Sequence, residues 1–232
     1  MKICATTLGE TAGDLLSMTL NVGYAYSSII LISLFLISLI GQLKSKKYHP
    51  FLYWTVILTT STAGTTISDY MDRTLKLGYT NGAIILFTIL CAILAFWHFR
   101  VGSMNVEKIQ TFKVELLYWM AILCSNTLGT ALGDFLADSS GLGFAGGALL
   151  IGSLLALIVA AHYLTSIPKV ALFWIAFVLT RPFGATMGDV LTKSHDKGGL
   201  NFGTVGSSLV LVSVLIVLVL WTRKKQNDAV SG

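Results

Sequence analysis

Apolar residues fill four stretches of the chain almost without interruption, at residues 24–43, 82–99, 142–164 and 202–221. Each is close to the ~20 residues that a helix needs to cross the hydrocarbon of a bilayer. Runs such as Ile29-Ile-Leu-Ile-Ser-Leu-Phe-Leu-Ile leave no polar face, so these helices belong against lipid or a dry interior. Between them lie four stretches of mixed character, at residues 3–20, 51–71, 112–137 and 171–191, where Gly, Ser, Thr, Asn and charges interrupt the apolar pattern. Unsatisfied polar groups in hydrocarbon are costly, so these four helices have to face one another or water. The pattern predicts an all-α integral membrane protein of eight transmembrane helices, with helices 1, 3, 5 and 7 as an inner ring and helices 2, 4, 6 and 8 as its sheath.

The mixed stretches share a motif. Gly9-Glu-Thr-Ala-Gly13-Asp14, Gly64-Thr-Thr-Ile-Ser68-Asp69, Gly129-Thr-Ala-Leu-Gly133-Asp134 and Gly184-Ala-Thr-Met-Gly188-Asp189 all read Gly, three residues, a small residue, Asp. Trp54, Trp119 and Trp174 stand ten residues before three of the glycines, and Tyr24, Tyr79 and Phe144 ten residues after three of the aspartates. In the fourth copy Phe202 follows three residues later, behind an insertion. The Asp-to-Asp intervals are 55, 65 and 55, so the four units also form two halves offset by 120 residues. Units of two helices return the chain to its starting side, which makes the repeats parallel, related by an axis along the membrane normal. The repeat units run over about 1–47, 48–110, 111–168 and 169–225, and the halves over 1–99 and 112–225, in one transmembrane domain of residues 1–225 followed by a short tail at 226–232. The longest linker, 100–111, joins the halves.

Only 12% of the 232 residues are charged, against the quarter usual in soluble domains, and mean hydropathy is +0.76. The net charge of +5 carries topology and not nucleic-acid binding. Lys2, Lys44, Lys46, Lys47, Arg100, Lys108, Lys113, Lys169, Arg223, Lys224 and Lys225 lie on the side of the N-terminus, against Arg73, Lys76, Lys193 and Lys197 on the other. That asymmetry predicts cytoplasmic termini and treats the basic residues as topology signals. Cys4, Cys91 and Cys124 lie in apolar segments without paired spacing, so neither a disulfide framework nor a zinc site is expected. Glu10 and Asp14 fall where a secretory leader would need its apolar run, so residue 1 is expected to open the mature chain.

The motif supplies the candidate chemistry. Gly9, Gly64, Gly129 and Gly184 each share a helix face with the small residue four positions on, the spacing that lets backbones approach closely in a membrane. From Trp54 to Asp69 is ~22 Å of helix. With the Trp residues at the cytoplasmic interface, Asp14, Asp69, Asp134 and Asp189 are expected at one depth beyond the midplane. Glu10 joins them, where the other copies have Thr65, Thr130 and Ala185; Asn126 and further hydroxyls add neutral oxygens. Arg181, in register with Thr6, Ser61 and Asn126, reads as the sole cation among the motif helices and as a structural partner for Glu10 or an Asp. Five acids against one cation leave four negative charges in excess. Like charges that close have to bind protons or a cation, and carboxylate and hydroxyl oxygens suit Mg²⁺, Mn²⁺ or Ca²⁺. Asp14, Asp69, Asp134, Asp189 and Glu10 are therefore the candidate metal ligands, with Asn126, Thr65, Thr130, Arg181 and the four motif glycines as pathway or support. The alternative for each Asp is a helix cap. Pro182 is expected to kink or unwind helix 7, His195, Asp72 and Asp138 to be solvated, and Cys4 and Cys124 to be inert.

The repeated Gly-x3-Gly/Ser-Asp units resemble a family of bacterial inner-membrane proteins built of four short tandem repeats, long catalogued as a repeat of unknown function. That resemblance implies residence in the bacterial cytoplasmic membrane and suggests metal export, manganese in particular. The sequence expectation is a transporter, not an enzyme, passing a divalent cation or proton through its carboxylates, with no permanently bound cofactor and lipid as its partner. The alternatives are a proton-coupled carrier of a small organic solute, a membrane-embedded enzyme and a structural subunit. The chain offers no HExxH, GxSxG or nucleotide-binding loop for the enzyme reading.

Overall fold

The computed structural model describes residues 1–45, 49–101 and 111–231; the basic residues Lys46, Lys47 and Lys108 and the body of the linker between Arg100 and Thr111 lie outside them. Among the described residues the chain is all helical, with eight helices of more than one or two turns: α1 (Lys2–Asp14), α2 (Tyr24–Lys44), α3 (Pro50–Asp69), α4 (Tyr79–Val101), α5 (Phe112–Asp134), α6 (Gly143–Leu164), α7 (Lys169–Thr192) and α8 (Thr204–Ser231). α8 thus continues through the stretch expected as a tail. Six of the eight regions are long and apolar enough to cross a membrane, which makes this a multi-pass membrane protein. α1 and α3 fall outside that set because α1 is short, with 13 residues, and the Thr and Ser of residues 59–66 dilute α3. Those hydroxyls are mostly buried among neighbouring helices and spend themselves on carbonyls of their own helix, as Thr60 does on Ile57 and Thr62 on Leu58.

Three motif helices end the same way. The α-helix stops at Asp14, Asp69 and Asp134, and the next five residues form a π-helical turn: Leu15–Thr19, Tyr70–Thr74 and Phe135–Ser139. Such turns are rare and concentrate at functional sites. In the fourth repeat α7 instead runs on to Thr192, and it passes through Pro182 without unwinding. The turn into the next helix also repeats. Asn21, Lys76, Gly141 and Asn201 take positive φ, and two residues later Gly23, Gly78, Gly143 and Gly203 do the same. The Asp-to-Gly spacing is 9 residues in three repeats and 14 in the fourth. The insertion is therefore longer than the aromatic alignment implied: Phe202 matches Val22, Leu77 and Leu142 in the turn, and Thr204 replaces the helix-starting aromatic.

Helix packing follows the repeat order. α1 packs on α3 and α7, and α5 on α3 and α7. The motif glycines make these seams. A Cβ on Gly64 would stand 3.0 Å from Asn126, one on Gly13 2.9 Å from Thr65, one on Gly133 2.9 Å from Ala185 and one on Gly188 2.8 Å from Glu10. Gly9 seats on Ser61, Gly129 on Arg181 and Gly184 on Thr6 in the same way. So each repeat's first Gly receives the residue three before the Gly of the next repeat, and the fourth repeat receives the first. The apolar helices interlock the units further. Each leans chiefly on the motif helix of the following repeat: α2 on α3, α4 on α5, α6 on α7 and α8 on α1.

At the end away from the aspartates the motif helices close on aromatic side chains. Trp119 and Trp174 are buried, not spread at a lipid interface as expected, and Trp97 joins them. Trp97 stands edge-on to Trp174 at 5.7 Å and to Tyr118 at 6.4 Å, and the Tyr53 and Tyr118 hydroxyls meet at 3.3 Å. Offset and edge-on ring pairs of this kind add to their burial.

Candidate functional site

The acids expected from the motif are all buried: Asp14, Asp69, Asp134, Asp189 and Glu10 are each less than 5% exposed. Glu10, Asp134 and Asp189 converge from α1, α5 and α7, with one carboxylate oxygen from each within 4.8 Å of the others. Asp14 and Asp69 stand beside this trio, linked to it through shared cations. Lys193 bridges Asp14 at 3.0 Å and Asp189 at 3.1 Å. Arg73 bridges Asp69 at 2.9 Å and Asp134 at 3.3 Å.

Arg73 and Lys193 were expected to be loop residues that signal topology, and the structure corrects that. Both sit four residues after a motif Asp, and they are 120 residues apart, so the internal two-fold relates them. Burial by itself would lower their pKa values. The paired carboxylates, Asp69 and Asp134 for Arg73 and Asp189 and Asp14 for Lys193, outweigh burial and hold both cations above their ordinary range. Sequence did carry a signal for them: a basic residue at Asp+4 in alternate repeats, one helical turn away.

Arg181 lies one level deeper and is fully buried. Its guanidinium reaches all three other motif helices. It donates to the Thr6 carbonyl at 3.1 Å and to Glu10 Oε2 at 3.0 Å on α1. On α3 it donates to the Ser61 carbonyl at 3.3 Å and to Thr65 Oγ1, and on α5 to Thr130 Oγ1 at 2.7 Å. The expected ion pair with Glu10 is present. Arg181 is not the sole cation of these helices, however. Lys2 opens α1 and donates to the Phe177 carbonyl at 2.9 Å. With Arg73 and Lys193 counted, the five candidate acids face three cations, and their excess falls to two negative charges, with Asp72 a sixth buried acid outside that set.

The remaining candidates sort by contact. Asn126 donates to Thr60 Oγ1 at 2.9 Å and Thr65 to Glu10 Oε2 at 3.2 Å, so both support the seams beside Arg181. Asp72, expected in solvent, is 6% exposed; Ser68 donates to it at 3.3 Å, and it occupies the space left by the missing side chain of Gly82. Asp138 is exposed and accepts from Tyr79 at 3.1 Å. His195 is exposed, as expected. The thiols of Cys4 and Cys124 each donate to a carbonyl of a neighbouring helix, Leu211 and Leu86, away from the acids.

A family model described as Repeat of Unknown Function (DUF347) matches residues 1–48, 52–103, 117–167 and 172–227. The chain belongs to that family. No curated protein and no solved structure matches it. Each family repeat spans one motif helix and the apolar helix that follows it, so Arg73 and Lys193 each fall inside a repeat, on the turn between its two helices.

Proposed function

We propose that the chain is a transporter of a divalent cation, with eight spans, both termini in the bacterial cytoplasm, and α1, α3, α5 and α7 as an inner ring around the path. The observation that carries this reading is the convergence of Glu10, Asp134 and Asp189, buried and from three different helices, within 4.8 Å. Carboxylates do not collect in a low-dielectric interior without compensation, because each unpaired charge costs several kcal/mol. Three cations compensate three of the five acids; the remaining two charges match one divalent ion or two protons. An all-oxygen site of this kind favours Mg²⁺, Ca²⁺ or Mn²⁺ over softer metals, and export of Mn²⁺ is the form of the reading that the sequence resemblance suggests.

The runner-up, a carrier of an anionic solute held by Arg181, loses support from the geometry. Both Nη atoms of that guanidinium already donate to protein oxygens. An enzyme reading gains nothing from a site this deeply enclosed by helices.

The test replaces each acid by its amide. Asn and Asp cap helices comparably, so Asp→Asn at positions 14, 69, 134 and 189 is harmless if the aspartates serve only as caps. Under the cation reading, Asp134→Asn, Asp189→Asn and Glu10→Gln abolish the change in cellular manganese that overexpression of the wild type produces, measured per amount of folded protein because Glu10→Gln strands the buried Arg181. They also abolish thermal stabilisation of the purified protein by Mn²⁺. Wild-type behaviour of all these variants in both assays rejects the reading.

A further inference from the structure

The four motif helices are not fastened to one another evenly. α3 and α5 are pinned at both ends, by Arg73 between Asp69 and Asp134 and by the Tyr53–Tyr118 hydroxyl pair. Asn126 to Thr60 adds a pin midway. α1 and α7 are pinned likewise, by Lys193 between Asp14 and Asp189 at one end and by Lys2 on the Phe177 carbonyl at the other, with Thr6 to the Thr180 carbonyl at 3.2 Å. The apolar helices extend each pair. Ser38 joins α2 to Thr59 of α3 and Cys124 joins α5 to α4, while Thr11 meets Ser208 of α8 and α6 packs on α7. The hydrogen bonds that cross from one group to the other gather on two residues. Arg181 donates to Ser61, Thr65 and Thr130, and the Thr65 hydroxyl has the Gly9 carbonyl and Glu10 Oε2 within hydrogen-bond distance.

We propose that the protein moves as two bodies, α2–α5 against α6–α8 with α1, and that Arg181, seated on Thr65 and Thr130, is the latch between them. The cut does not follow the tandem halves of the sequence. It is shifted by one helix, because each apolar helix rides on the next repeat. The 120-residue offset still maps one body onto the other, so the movement has the symmetry expected of a carrier built from parallel repeats. Away from the latch, the seam between the bodies is made of small residues and hydroxyls, Gly13 on Thr65 and Gly133 on Ala185, with the Trp97–Trp174 contact at the aromatic end. At the seam itself Arg181 Nε and Ser61 Oγ, both fully buried, meet no partner, so the latched arrangement leaves hydrogen-bonding capacity unused. The two chain crossings between the bodies are the short turns at residues 20–23 and 140–142, where Asn21, Gly23 and Gly141 hold positive φ and can absorb a hinge change.

The latch is also wired to the acids. Glu10 belongs to the converging trio and is at the same time the carboxylate that Arg181 and Thr65 hold. A cation taken up by the trio is held by Asp134 of one body and by Glu10 and Asp189 of the other, and it competes with Arg181 and Thr65 for Glu10, so occupancy acts on the seam itself. This coupling, unlike the two-body division, rests on the cation reading.

The experiment measures spin-label distances in protein with Cys4, Cys91 and Cys124 replaced by Ser. One label pair, Met18 with Leu75, spans the bodies; two control pairs, Met18 with Leu200 and Leu75 with Ser139, each lie within one. Arg181→Gln, or the milder pair Thr65→Val with Thr130→Val should Arg181→Gln fail to fold, is expected to lengthen or broaden the spanning distance by ~5 Å, a one-turn displacement, and to leave both controls unchanged. Equal change in the control pairs, or no change in the spanning pair of a folded variant, overturns the two-body division. Mg²⁺, a diamagnetic divalent ion of the hard class that the all-oxygen site favours, is then added to the wild type. A shift of the spanning pair alone supports the coupling, and that shift has to vanish in Glu10→Gln. A silent wild type with a responsive latch variant removes the cation coupling and leaves the division standing.

Discussion

Two levels of the same four helices solve one problem in different ways. At the aspartate level the compensation is duplicated: Arg73 and Lys193 occupy equivalent positions and each bridges two carboxylates from two helices. Both cations are partly exposed, at 33% and 21% of their side chains. One turn deeper the compensation is single and lopsided. Arg181 pairs with Glu10, whereas the 120-residue offset places Ser61 and Thr130 at the equivalent positions. There the side chains are 0% and 4% exposed. Repetition explains the outer arrangement; the inner one required two substitutions that broke the repeat. A buried pair of this kind persists only if both members are present, because either alone is an uncompensated charge.

That contrast sets the largest expected effect. Arg181→Gln leaves Glu10 buried without its partner and should destabilise the protein by about 3–5 kcal/mol, read as a large loss of thermal stability in detergent. Arg181→Gln with Glu10→Gln together should recover most of it, since neutral side chains of like size leave no stranded charge. If the double variant is no better than the single, the inner level depends on the shape of Arg181 and not on charge.

The next effect tests whether close approach is as necessary as charge. Gly64→Ala sets a methyl 3.0 Å from the backbone and Cβ of Asn126, where neither can withdraw without shifting α5. Overpacking of that kind costs about 1–3 kcal/mol. A neutral Gly64→Ala would show that the seam between α3 and α5 is looser than these contacts require.

The sequence announced these levels unequally. The eight helices, most of their boundaries to within a few residues and the five motif acids were legible, because apolar runs and a fourfold motif repeat the same physical constraint; the end of α8, at Ser231 and not 221, was not. The π-helical turns after Asp14, Asp69 and Asp134 left no trace in composition, since nothing in residues such as Leu15-Leu-Ser-Met-Thr distinguishes a π turn from an α turn. Arg73 and Lys193 were visible as charges but not as partners: reading basic residues at a helix end as topology signals hid their i,i+4 relation to the motif. Asp72 was misplaced for a related reason, because the cavity that receives it is made by Gly82 on the following helix. The shifted lean of each apolar helix onto the next repeat was out of reach as well, because an apolar circumference marks no preferred face.

Removing the duplicated cations should matter less than removing Arg181. Arg73→Ala and Lys193→Ala each strand two buried carboxylates, yet the cations are partly in water, so water can enter the vacated space and hold the loss to roughly 1–3 kcal/mol. The two-fold predicts similar losses for the two variants by thermal melting. A loss for Lys193→Ala that approaches that of Arg181→Gln would show that the outer clamps are as thoroughly enclosed as the inner pair.

The smallest effect contrasts a motif helix with an apolar one. Gly206 lies near the start of α8, and a Cβ added there meets nothing within 4 Å. A glycine inside a helix loses more backbone freedom on folding than an alanine does, by roughly 0.5–1 kcal/mol. With no neighbour to displace, Gly206→Ala should therefore stabilise the protein slightly, the opposite sign to Gly64→Ala. The comparison is of one substitution in two settings, so side-chain chemistry cancels and only the seam differs. A small rise in melting temperature for Gly206→Ala beside a clear fall for Gly64→Ala is the expected pair of results. If Gly206→Ala also destabilises, another helix or a second molecule approaches α8 there, and the outer surface of the bundle is not open at that point.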